Sequence, residues 1–168
     1  LESCLADVPT CVKTGCSAVE LLDDVVLDAA RGNPECRRYL ELVPEVAGKP
    51  PAAVLYVEYQ ELSAEAVEEG FARLKTALPH AQVVCYRDTT ALLKLWALRK
   101  AGEPLLHSIG GHRKPVTCVE DNAVPVENLY RFIEGFREIV ARHGTRAAYY
   151  AHASVGVLHV RPMLDLHD

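Results

Sequence analysis

Apolar and polar positions along the chain alternate between a helical and an extended rhythm. Residues 1–16 follow neither and form a polar, cysteine-bearing, irregular lead-in. From Ser17 the string SAVELLDDVVLDAARG predicts a helix, with Ser17 as cap, Glu20 completing a capping box and Gly32 at the end. A shorter helix is expected over residues 34–43, then a turn over 44–51. AAVLYVEY at 52–59 reads as a strand buried on both faces. Ser63 caps a helix whose stripe is Val67, Phe71, Leu74 and Leu78, and Pro79 stops it. QVVCY at 82–86 reads as another strand. Asp88 caps a helix running through Leu92, Leu93, Trp96 and Leu98 to near Gly102, and residues 103–115 read as a long loop. A strand over 117–124 precedes a helix opened by Pro125, with Leu129, Phe132, Ile133, Phe136, Ile139 and Val140 on one face. Two strands, 146–151 and 155–163, close the chain around a turn with Ser154 and Gly156.

Two strand–helix–strand halves joined by an insertion suggest a ferredoxin-like α+β fold. The expected architecture is an antiparallel sheet with helices packed on one face, plus N-terminal helices and a helix–loop insertion. A doubly wound α/β fold competes, but it wants a glycine turn after the first strand, and residues 60–62 offer none. The length, 168 residues, suits one domain over 17–168 behind the lead-in.

Composition narrows the class. Apolar residues at 49% and charged residues at 24% exclude disorder, collagen and a disulfide mini-protein. A net charge of −5 argues against a nucleic-acid partner. No apolar run approaches the roughly 18 residues of a membrane span. The chain starts at Leu1 without a signal-peptide pattern, so we expect a processed chain or a piece of a longer one. Six cysteines without a C-x-x-C pair read as reduced thiols in a cytoplasmic protein, with peripheral membrane attachment through the rest of the protein left open.

The candidate chemistry centres on histidine. In HASVGVLH, His152 and His159 lie on facing strands of a hairpin, where they either ligate a metal or take part in catalysis, or only brace the hairpin through backbone hydrogen bonds. Arg99, one turn after Trp96, either grips a carboxylate in a bidentate fork or is a solvated charge at a helix end. His112, Arg113 and Lys114 after Gly110–Gly111 form an anion-binding loop or a solvated one. Glu120 and Asp121 end a strand before a helix, whose N-terminus they can serve electrostatically.

Several segments together resemble the C-terminal, substrate-side domain of FAD-linked oxidases of 2-hydroxy acids. They are SAVELLDD at 17–24, AVLYVEYQ at 53–60, LWALRKAG at 95–102, VEDNAVPVENL at 119–129 and YYAHASVGVLHVRPMLDL at 149–166. The last looks most like the bacterial branch in which a flavin oxidase is fused to an iron–sulfur module. The resemblance implies oxidation of D-lactate, D-2-hydroxyglutarate or a similar acid. FAD would be held by an upstream domain, and an iron–sulfur cluster, where present, lies elsewhere in the protein. His152 and His159 would face flavin and substrate and hold a divalent metal such as zinc. Arg99 would contact the substrate carboxylate, with Glu120 and Asp121 nearby. The commoner hairpin reads H-A-G-D-G-N-L-H; here Ser154, Val155 and Val157 replace Gly, Asp and Asn. Alone, such a domain is expected to be inactive, to bind no FAD and to self-associate as a homodimer. A non-catalytic ligand-binding or dimerisation module is the alternative.

Overall fold

The computed structural model describes residues 1–167. In chain order the elements are α1 (Glu2–Lys13), β1 (Ala18–Asp23), α2 (Asp24–Gly32), α3 (Pro34–Arg37), β2 (Ala53–Glu58), α4 (Ala64–Ala77), α5 (Thr89–His107), β3 (Lys114–Pro115), β4 (Val119–Ala123), α6 (Leu129–Arg142), β5 (Ala147–His152) and β6 (Val157–Leu164). The sheet order is β2-β1-β5-β6, with β3 and β4 both on the outer edge of β6, and every pairing is antiparallel. The α+β class is therefore as expected, and no helix among the described residues is long and apolar enough to cross a membrane.

Several expectations change. Residues 18–23 form a strand, not the first turns of a helix. Val19 and Leu21 enter one core cluster and Leu22 enters another, so both faces of β1 are covered and its period-two signal is lost in an apolar run. The helix starts only at Asp23, whose carboxylate accepts from the Val26 amide at 3.0 Å and from the Tyr149 amide of β5 at 2.7 Å. Residues 1–16 contain α1, which buries Leu5, Val8 and Cys11 despite Pro9. Residues 82–86 form no strand. Their side chains are used instead of a ladder: Val83 packs on the core, and the Tyr86 hydroxyl donates to the Leu42 carbonyl at 2.5 Å.

Helix α5 also outruns its expected end. It passes Pro104 to bury Leu105 and Leu106 against α2. Gly102 faces Val26 and Leu22 across this contact. Helices thus cover both faces of the sheet, beyond the single face expected. On one face α1, α4 and α6 pack over Val19, Leu21, Tyr149, Ala151, Leu158 and Val160. On the other, α2 and α5 pack over Leu22, Ala148, Tyr150 and Met163. This second cover stops short of the β5–β6 turn, where polar side chains take over.

Candidate functional site

Strand alternation puts Glu20 (β1), Tyr150 and His152 (β5), and His159 and Arg161 (β6) on the second face. The register pairs Tyr150 with His159 and His152 with Val157, so the two histidines are diagonal neighbours. Their rings meet edge to face, with centroids 5.4 Å apart. His159 stacks on Tyr150 at 4.6 Å. The hairpin that brings them together turns at Gly156, with φ of 71°. A Cβ at this position would lie 1.9 Å from the Val124 carbonyl oxygen, so only glycine fits.

Each imidazole has a carboxylate at Nδ1. His152 Nδ1 lies 3.0 Å from both oxygens of Glu20. His159 Nδ1 lies 3.5 Å from Glu120 and 3.5 Å from Asp121, beyond a well-formed hydrogen bond, and is buried without a partner. The β4 irregularity between Val119 and Asn122, with Asp121 at φ 48°, brings both acidic residues to this edge.

Arg99 is buried in α5, not a solvated helix-end charge. Its Nε donates to Glu20 Oε2 at 2.9 Å, and Nη2 stands 2.7 Å from the same oxygen, out of line for a hydrogen bond. The fork expected to meet a substrate carboxylate thus meets a carboxylate of its own chain.

Sequence reading missed three participants. Arg161, 2% exposed, donates to Glu120, to Glu103 of α5 at 3.2 Å and to the Tyr150 hydroxyl at 2.6 Å. The guanidiniums of Arg99 and Arg161 lie 5.6 and 5.5 Å from the Tyr150 ring centre. Glu20 joins Arg99 to His152. The available signal was a lone charge in an apolar strand, VELL for Glu20 and HVRPM for Arg161. Burial alone would raise the Glu120 carboxyl, but the hydrogen bond and charge of Arg161, with His159 beside it, hold it below the ordinary range. Burial pushes the Tyr150 hydroxyl up to about 12, so it stays protonated at neutral pH. His112 and Arg113 lie elsewhere, around a cleft with Arg146 and Gly144 at the far end of β5 and β6.

The zinc expectation finds two imidazoles and no third ligand. Among the described residues no three His, Cys, Asp or Glu side chains are grouped to hold a metal ion. The described residues also contain no parallel strand–helix–strand unit with a glycine-rich turn, the usual device for a dinucleotide.

Comparison with known proteins agrees with the resemblance. The chain is 32% identical over 176 residues to the D-2-hydroxyglutarate dehydrogenase of Pantoea ananatis (strain AJ13355). It is 31% identical over 176 residues to that of Haemophilus influenzae (strain ATCC 51907 / DSM 11121 / KW20 / Rd), and 32% identical over 177 residues to that of Escherichia coli (strain K12). Each alignment covers 99% of this chain and 17% of the relative, so the chain spans about one sixth of the length of these proteins. The family model for FAD linked oxidases, C-terminal domain, matches residues 1–168, and the chain belongs to that family.

Proposed function

We propose that this domain is the substrate-side wall of a flavin-linked enzyme that oxidises a D-2-hydroxy acid, with D-2-hydroxyglutarate, the acid in the relatives' name, as the first candidate. The observation that carries the reading is the His152–His159 pair, edge to face at the open end of the sheet. Oxidising a 2-hydroxy acid to a 2-oxo acid removes a proton from the hydroxyl oxygen and a hydride from the carbon that bears it, and the C=O bond forms between them. FAD, held by the rest of the protein, supplies the hydride acceptor. His152 Nε2 is the proposed base for the hydroxyl proton, since its Nδ1 is turned to Glu20. His159, fixed by its stack on Tyr150, is the proposed second contact to the substrate oxygens. Arg161, in its seat between Glu120, Glu103 and Tyr150, holds the strand carrying His159. Glu120 and Asp121 are carboxylates and would repel an acid substrate; Glu120 is matched to Arg161, and the proposed role of both is to place negative charge beside His159.

The test uses the intact protein that carries this domain. D-2-hydroxyglutarate should bleach its flavin absorbance anaerobically. His152→Ala should slow the bleaching by about 10³-fold or more while the variant remains folded in a thermal melt. No bleaching by any D-2-hydroxy acid, or an unchanged rate in the variant, would overturn the proposal.

A further inference from the structure

We infer that Glu20 and Arg99 act together to fix the tautomer of His152. Glu20 is a positioning residue, and Arg99 decides which way it faces. The base role given to His152 rests on the proposed function, but the tautomer assignment stands on the geometry alone.

Glu20 lies directly opposite His152 in the β1–β5 register, on a strand buried along its length. Among the described residues its side chain hydrogen-bonds only Arg99 and His152. Arg99 is donor-only, and an ionised carboxylate is acceptor-only. The nitrogen 3.0 Å from both carboxylate oxygens must therefore carry a proton. A neutral His152 then holds its hydrogen on Nδ1, and Nε2 keeps the lone pair. Half of the His152 side chain is open to solvent, so without Glu20 either tautomer is accessible to it.

In Glu20→Gln the side chain keeps its shape but has one oxygen and one NH2. Arg99 can only donate, so it takes the amide oxygen. The NH2 then stands in place of the other oxygen, 3.0 Å from His152 Nδ1, where it favours a lone pair on that nitrogen. The population therefore shifts from Nδ1–H toward Nε2–H. Removing the guanidinium in Glu20→Gln/Arg99→Met frees the amide to turn, so its oxygen can again accept from Nδ1–H.

The experiment reads His152 in the 168-residue chain by nitrogen-15 NMR of its imidazole above the titration range of histidine, assigned by loss of its signals in His152→Gln. The expected result is Nδ1–H in the native chain, a shift toward Nε2–H in Glu20→Gln, and Nδ1–H again in the double variant. Nε2–H in the native chain, or a tautomer population unchanged in a folded Glu20→Gln chain, would overturn the inference. The native measurement decides even if a variant fails to fold. In the intact enzyme, Glu20→Gln should lower kcat by about 10³-fold or more, as a wrong-tautomer base does, with recovery in the double variant. Shifted tautomers with unchanged turnover would leave the dyad standing and remove His152 from the proposed chemistry.

Discussion

The two faces of the sheet are built from the same strands and solve burial differently. On the first, Val19, Leu21, Tyr149, Ala151, Leu158 and Val160 meet α1, α4 and α6, and packing is the main source of stability. On the second, the same strands turn Glu20, Tyr150, His152, His159 and Arg161 to the side of α5, which meets them with Arg99 and Glu103, and His152 is left half open to solvent. Most of these side chains are matched one to another, Glu20 to Arg99 and His152, and Arg161 to Glu120, Glu103 and Tyr150, while His159 Nδ1 is buried without a hydrogen bond. An apolar face tolerates imperfect shape and loses stability by degrees. A paired polar face fixes the direction of each group and is costly when one partner is lost. The chemistry lies on the face where direction is fixed.

The comparison breaks most completely at the turn both faces share. Gly156→Ala puts a methyl group into the Val124 carbonyl at a left-handed φ. It should cost on the order of 4 kcal/mol in denaturant unfolding and displace both histidines. A loss under about 1 kcal/mol would show that the turn can relax. The faces separate in a second measurement. Leu158→Ala on the dry face should cost about 3 kcal/mol, and no second substitution at one polar partner should recover it. Arg161→Leu should cost about 2–3 kcal/mol, below the range for a fully buried pair because Glu120 is one-third open to water. Adding Glu120→Leu should recover most of that loss. Equal, additive losses for Arg161→Leu and Glu120→Leu would mean that the ion pair does not organise this face.

The same contrast explains what the sequence made legible. Helices α4 and α5 start where Ser63 and Asp88 cap them, accepting from the Ala66 and Ala91 amides, and the β5–β6 hairpin lies where its pattern put it. These are local signals. β1 was hidden because two helix layers cover it, and its alternation became an apolar run that also fits a helix. α1 carried the spacing Leu5, Val8, Cys11, masked by Pro9 and by cysteines that behave as buried apolar groups. In the site, the histidine pair was legible from seven-residue spacing across one turn. Glu20 was not, because its partners lie 79 and 132 residues away, and nothing near it in sequence distinguishes a paired buried carboxylate from a capping one.

Asp23 tests whether the polar face depends on a group outside it. This carboxylate, 1% exposed, ties the start of α2 to the Tyr149 amide, next to Tyr150 and three residues before His152. Burial pushes it up to about 7, against the pull of the Val26 and Tyr149 amides. An unfolded aspartate titrates near 3.9. Between those values the folded chain binds the extra proton, so stability falls as pH rises from about 4 through about 7. Asp23→Asn cannot ionise and should lack that slope. The native-minus-variant difference in unfolding free energy should therefore drop by about 2 kcal/mol between pH 5 and pH 8. This is the smallest of these effects but the most specific, since paired surface carboxylates give the opposite sign. A difference that rises with pH would mean that the two amides outweigh burial and Asp23 is ionised throughout. A flat difference would mean that the carboxyl does not titrate differently in the folded and unfolded chains.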